Sequence, residues 1–216
     1  MSASRTDNRR RARTRERKAN LVVIGVGALV VLLAVVAVLV GSGDSVPPDE
    51  AGEVQPVEVA GSIAPLPASG NDPGVGQEAP RATGSTFEGQ GTTVGEGPSL
   101  LLFVAHWCGH CQKEVPVVTD WLDGATEVRG VQIRAVSTAV DEKAPNYPPS
   151  AWLEREGWPV PTLVDDADGS VATAFGLTGF PYFVAIDGDG RVVARTSGEQ
   201  PVPVLEALVD AALGQG

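Results

Sequence analysis

Ser99-Leu100-Leu101-Leu102-Phe103-Val104-Ala105-His106-Trp107-Cys108-Gly109-His110-Cys111 runs from a short continuous apolar stretch straight into two cysteines two residues apart. An uninterrupted apolar run of this length suits a strand buried on both faces. Beyond it, Val115, Val118 and Leu122 recur at helical spacing, so a helix is expected over about 107–123. The cysteine pair therefore falls where a buried strand gives way to a helix. Cys108 would sit at the helix N-terminus, where unpaired N–H groups and the positive dipole end favour a thiolate over a thiol. Cys111 would lie one turn in, more buried and suited to attacking a mixed disulfide. A protonated His110 between them would stabilise the thiolate further and make the disulfide a better oxidant.

Downstream, Val131, Ile133 and Ala135 alternate as a second strand, and Ser150 can cap a helix carrying Trp152 and Leu153 that ends at Gly157. A short strand over 161–164 and a short helix over 170–175 follow. Strands over 182–186 and 192–196 are joined by Asp187-Gly188-Asp189-Gly190, a strong hairpin signal, and a last helix runs from about 202 to 213. The order β-α-β-α-β-α-β-β-α implies an α/β fold: a mixed central sheet flanked by helices on both faces.

The segments upstream give the chain its address. Residues 1–20 hold eight Lys or Arg and two acids, although the whole chain of 216 residues carries a formal charge of −11. A body this acidic argues against nonspecific nucleic-acid binding. Residues 21–40, LVVIGVGALVVLLAVVAVLV, contain no charged or strongly polar residue. At ~1.5 Å per residue they span roughly 30 Å, a bilayer core. With the basic tail before it, this segment reads as a transmembrane anchor, N-terminus in the cytoplasm and everything after Val40 extracytoplasmic. A cleaved signal peptide is the alternative; it would normally have a shorter apolar region, though Gly41-Ser42-Gly43 offers small residues after this one. Residues 41–74 are rich in Gly, Pro, Ser and acid and read as a flexible linker, with Val57, Val59, Ile63 and Leu66 available to lie against the body. The body is 75–216.

The chain has only two cysteines, which excludes a disulfide-rich scaffold and a four-cysteine zinc site. Zinc held by Cys108, Cys111, His106 and His110 would crowd four ligands into six residues, too close to surround a tetrahedral metal. Haem attachment would need a histidine after Cys111, where Gln112 stands. A purely structural disulfide across two residues would staple almost nothing. Redox chemistry by the cysteine pair itself, with no cofactor and no metal, is the better reading. His106 is expected at a surface or edge, and Trp107 beside the active site, shaping the substrate surface. Asp165, Asp166 and Asp168 lack the spacing of a calcium loop and read as a helix-entry turn.

Over roughly 75–216 the sequence resembles the thioredoxin superfamily, specifically its membrane-anchored TlpA-like (ResA-like) thiol–disulfide oxidoreductases. The resemblance is carried by Val75-Gly76-Gln77-Glu78-Ala79-Pro80, by Phe103 to Cys111, by Gln112-Lys113-Glu114-Val115-Pro116, by Thr162 to Asp165 and Ala174 to Leu177, and by Gly179-Phe180-Pro181 leading to the Asp-Gly hairpin. It implies Cys108 as nucleophile, Cys111 as resolving cysteine, and Pro181 as the cis-proline facing the disulfide. Backbone groups of Phe180 would pair with an extended substrate. Glu114 matches an active-site glutamate able to relay protons to or from the thiols. Two departures stand out. Leu102 occupies the place of the buried aspartate of cytoplasmic thioredoxins, and Gly109-His110 resembles the dipeptide of disulfide isomerases, whereas many TlpA-like reductases carry a proline there.

The expected function is therefore an extracytoplasmic thiol–disulfide oxidoreductase, reset by a membrane electron-transfer partner. The resemblance implies reduction of exported proteins, apocytochromes of cytochrome c maturation included. The alternatives are disulfide donation or isomerisation by the same pair, and a thioredoxin-like binding module without activity.

Overall fold

A computed structural model describes residues 52–215. The expected anchor at 21–40 and the basic tail lie outside the described residues. No helix among those described is long and apolar enough to cross a membrane.

The elements in chain order are β1 (Glu58–Ala60), β2 (Arg81–Ser85), β3 (Gly91–Val94), β4 (Ser99–Val104), α1 (Gly109–Leu122), β5 (Glu127–Val128), β6 (Val131–Ser137), α2 (Pro149–Arg155), β7 (Thr162–Val164), α3 (Ser170–Ala174), β8 (Tyr182–Ile186), β9 (Val192–Ser197) and α4 (Val202–Ala212). In the main sheet β4 pairs parallel with β6 and antiparallel with β8, and β9 closes the edge antiparallel to β8. The far edge of β6 is shared by β5, antiparallel, and β7, parallel.

β4 is buried at every position because the sheet is covered on both sides. Leu100, Leu102 and Val104 join Ile133, Ala135, Phe183 and Ala185 on the face packed by α1, α2 and α4. Leu101 and Phe103 join Val136, Tyr182, Val184 and Ile186 on the face packed by α3. Successive strand side chains point to opposite faces, so one apolar hexapeptide feeds both cores. Helices on both faces of a mixed sheet are as the alternation of elements implies. The Asp-Gly hairpin also forms: Asp187 Oδ1 accepts the Asp189 and Arg191 amides, both at 2.9 Å, and Gly190 takes a positive φ of 78° that favours glycine.

Three expectations change. The second core is covered by more than α3, because β1, β2 and β3 form a separate antiparallel sheet whose Ala82 and Val94 pack into it. The linker expected over 41–74 enters the described residues at Gly52 and is packed from there on. β1 pairs with β2, Ile63 is buried, and the Ile63 and Leu66 amides donate to Ala174 and Gly176 carbonyls at 2.9 Å each. Ser150 does not cap α2. Pro148 holds that position, and the Ser150 amide and hydroxyl both donate to the Glu53 carboxylate.

Candidate active site

Cys108 is the N-cap residue of α1, in extended conformation, and no side chain caps the helix. An N-cap side chain commonly contributes about 1 kcal/mol. Here the sequence forgoes it and places no acid in the first turn, leaving the positive helix end to the cysteine. The Cys108 amide donates to Ala105 O at 3.0 Å, which bends the chain from strand to helix, and the Gln112 amide closes the first turn on Cys108 O at 3.0 Å.

Both thiols are free. Cys108 retains 9% of its surface and Cys111 none, so a reactant arriving from solvent meets Cys108 first. Burial pushes the Cys111 thiol well above its ordinary range, and the neighbouring Cys108 and Glu114 push it further. Leu102 belongs to the same apolar cluster as the two cysteines, so β4 supplies no acid beneath the pair. Glu114 stands one turn after Cys111 on the same helix. It is not a solvated helix residue: it is 2% exposed, and Oε2 accepts the Gln200 amide at 2.9 Å. Oε1 is buried with no hydrogen-bond partner. Burial raises the Glu114 pKa against the pull of the Gln200 amide, and Glu199 adds to the rise.

His106 departs most from expectation. It is buried, with Nδ1 2.8 Å from Pro145 O and Nε2 accepting the Asp141 amide at 3.1 Å. A carbonyl on one side and an N–H on the other fix the neutral tautomer with the proton on Nδ1. Both ring nitrogens are thus committed to the backbone of the loop after β6. Among the described residues no His, Cys, Asp or Glu cluster is arranged to hold a metal. Trp107 is half-exposed beside Cys108. Its Nε1 donates to Ala139 O at 2.7 Å and its ring meets Phe180 edge-on at 5.9 Å. The Phe180–Pro181 bond is cis. Through Trp107, the cysteine turn and the segment leading into β8 form one surface.

His110 is exposed, and Nδ1 lies 2.6 Å from Glu199 Oε1, which also accepts from Lys113 Nζ at 3.2 Å. Glu199 and Gln200 were not anticipated from sequence, yet strand order could have found them. β4 ends at the cysteines, β8 runs antiparallel to it and begins after Pro181, and β9 runs antiparallel to β8. The chain leaving β9 must therefore emerge at the same end of the sheet. Asp165 and Asp166 form the expected helix-entry turn, accepting the amides of Ser170, Val171 and Ala172 at 2.9–3.1 Å. A cavity of about 600 Å³ between the β2–β3 turn, α2 and Trp158 is lined by none of the site residues.

The Redoxin family profile matches residues 74–212, which takes in the cysteine pair, Glu114 and Pro181. The chain belongs to the Redoxin family. This Redoxin chain is 33% identical over 129 residues to a thiol:disulfide interchange protein DsbE homolog of Paracoccus denitrificans, covering 57% of this chain and 66% of that protein. It is 28% identical over 138 residues to thiol–disulfide oxidoreductase ResA of Bacillus thuringiensis, covering 62% and 76%. A crystal structure of a putative thiol:disulfide interchange protein DsbE from Chlorobium tepidum superposes with a TM-score of 0.53 at 24% identity, covering 64% of this chain and 96% of that one. The last likeness shows the fold. The family match and the two sequence relatives make the body a ResA-like thioredoxin-superfamily domain and its class of activity thiol–disulfide oxidoreduction.

Proposed function

We propose that the protein is a membrane-tethered extracytoplasmic reductase of disulfides in exported proteins, apocytochrome c among the candidates. The observation that carries this reading is the pairing of a surface-reachable thiol at an uncapped helix N-terminus with a buried thiol beside a buried carboxyl. The Cys108 thiolate attacks one sulfur of a substrate disulfide. A Cys108–substrate disulfide forms and the other substrate sulfur leaves as thiolate. Cys111, losing its proton to Glu114, then attacks Cys108 Sγ. The second substrate sulfur leaves and the Cys108–Cys111 disulfide remains. The two electrons pass to the substrate, whose two thiolates take up protons. A membrane protein carrying a dithiol must return two electrons to reset the pair, because cytosolic reductants do not reach an extracytoplasmic domain.

Phe180, Pro181 and Trp107 form the surface on which the substrate strand is read, and no cofactor is required beyond the cysteines. The tether is the apolar segment 21–40. The alternative, disulfide donation, is favoured by one observation, the Gly109-His110 dipeptide. The reduction potential separates the two. A value near or below ~−250 mV supports the reductase, and ~−120 to −180 mV supports the donor.

A further inference from the structure

The loop between β9 and α4 touches the residue between the two cysteines and the turn of α1 that follows them. Glu199 bonds His110 and Lys113, and the next amide, Gln200, bonds Glu114. His110 is the second residue of α1, whose N-cap is Cys108. An imidazolium there adds to the positive helix end and favours the thiolate. It therefore favours the dithiol over the disulfide, so on its own it predicts an oxidising couple.

We propose that Glu199 is a positioning residue that holds the His110 imidazolium and offsets its charge, shifting the Cys108–Cys111 couple toward the reducing side. This rests on the thiol–disulfide reading of the site given above. The imidazolium and the carboxylate bonded to it cancel as a pair, so that pair presents Cys108 with a dipole, and the net positive charge of the three-group cluster is left on Lys113, one turn further along the helix. The other charged or titratable groups around His110 are Lys113 on the next turn of α1, the two thiols, and Glu114, which is turned into the core. Hydrogen bonds from His110 and, next, Lys113 hold the Glu199 carboxyl below the ordinary glutamate range, so it stays ionised in mildly acidic solution. His110 and Glu199 are 65% and 41% exposed, and solvent and salt therefore screen the effect. A Gly-His dipeptide thus need not make this site a disulfide donor, because the counter-charge is built into the neighbouring loop.

The test compares four full-length proteins in detergent: wild type, Glu199→Gln, His110→Ala and the double variant. Each is equilibrated with glutathione buffers at about pH 5.5 and low salt. That pH lies below the ordinary imidazole value. Glu199→Gln is expected to shift the equilibrium about three- to tenfold toward the dithiol, tenfold being ~30 mV, and 0.5 M salt should shrink the shift. In the His110→Ala background the same replacement should shift it clearly less, since the imidazole no longer holds the carboxylate beside the helix end. No shift, a shift toward the disulfide, or equal shifts in both backgrounds would overturn the role. The absolute wild-type potential decides the direction of electron flow, whereas differences among the four proteins decide the role of Glu199. Either conclusion can therefore fail without the other.

Discussion

Arg195 on β9 grips Asp72, 123 residues earlier in the chain, through a two-pronged contact in which Nε and Nη2 donate to the two carboxylate oxygens. The remaining guanidinium nitrogen, Nη1, reaches the Ala64 and Phe175 carbonyls and the Tyr182 hydroxyl at 2.9, 3.3 and 3.1 Å. The Arg195 side chain has no exposed surface. One buried cation thus ties the segment before β2 to both α3 and the main sheet. Gly74 and Gly176 leave room for it, since a Cβ at either would fall within 2.9 Å of the guanidinium.

Removing one partner of a buried pair leaves the other charge uncompensated, at a cost of about 3–5 kcal/mol. Asp72→Ala is therefore expected to destabilise the protein by that amount in urea unfolding at pH 7. The hydrogen bonds from Arg195 are the main cause of the lowered Asp72 pKa. A carboxylate with a depressed folded pKa stabilises above its unfolded value and loses that contribution as pH falls through the folded one. The gap between wild type and Asp72→Ala should therefore narrow below about pH 4. A gap independent of pH would contradict the assignment.

Glu114 has the opposite sign. Its folded pKa is raised, chiefly by burial, so in the window above the unfolded value the native state binds more protons than the unfolded chain. Stability must fall as pH rises through that window. Relative to Glu114→Gln, wild type should lose stability from about pH 4.5 upward and level off once the buried carboxyl has ionised. Chemical denaturation at half-unit pH steps reads this directly. A rise in the difference would mean that the carboxylate, not the acid, is the favoured buried form. In single-turnover experiments Glu114→Gln should slow the step in which Cys111 attacks by about 100-fold or more, leaving mixed-disulfide formation nearly unchanged.

Apart from the two-residue β5, the order of elements from β4 onward, the hairpin at Asp187 to Gly190 and the placement of Cys108 at a helix start were all legible in the sequence. Each is set by local chemistry: an apolar hexapeptide, turn residues, a break in periodicity. The sheet of β1 to β3 was not legible, because Arg81 to Ser85 and Gly91 to Val94 bury few residues and carry no run that periodicity detects. Packing of 52–74 was legible only in part: Val57, Val59, Ile63 and Leu66 offered themselves to the body, but Gly, Pro and Ser read as a linker whether or not an arginine far along the chain captures it. His106 misled for a related reason. A histidine beside a catalytic cysteine looks exposed until the loop that accepts its proton is folded against it.

That loop supplies the third prediction. His106→Ala would leave the Asp141 amide and the Pro145 carbonyl without their partners, about 1–3 kcal/mol for each group that stays buried. The loop between Ala139 and Asn146 should open locally before the protein unfolds. Hydrogen exchange is expected to speed up at the Asp141 amide, while amides of β4 and β6 stay protected. Unchanged exchange at Asp141 would mean that the loop holds itself. Because Trp107 is anchored to Ala139 O, its fluorescence should also redshift in this variant.

The cysteines differ in reach, and the raised pKa of Cys111 points the same way. Cys111 is fully buried and its pKa is raised, first by burial and then by its neighbours Cys108 and Glu114, so its thiolate is scarce until a mixed disulfide forms beside it. A short iodoacetamide pulse at pH 7 should therefore alkylate Cys108 at least about tenfold faster than Cys111, as judged by peptide mass mapping. The same asymmetry fixes the fate of the single variants. Cys108→Ser removes the thiol that a substrate disulfide can reach and should abolish turnover without trapping anything. Cys111→Ser keeps the attacking thiol and removes the one that resolves, so mixed disulfides with substrate should accumulate and disappear on reduction with dithiothreitol. Trapping by Cys108→Ser in place of Cys111→Ser would reverse the roles and require the helix end to act on Cys111.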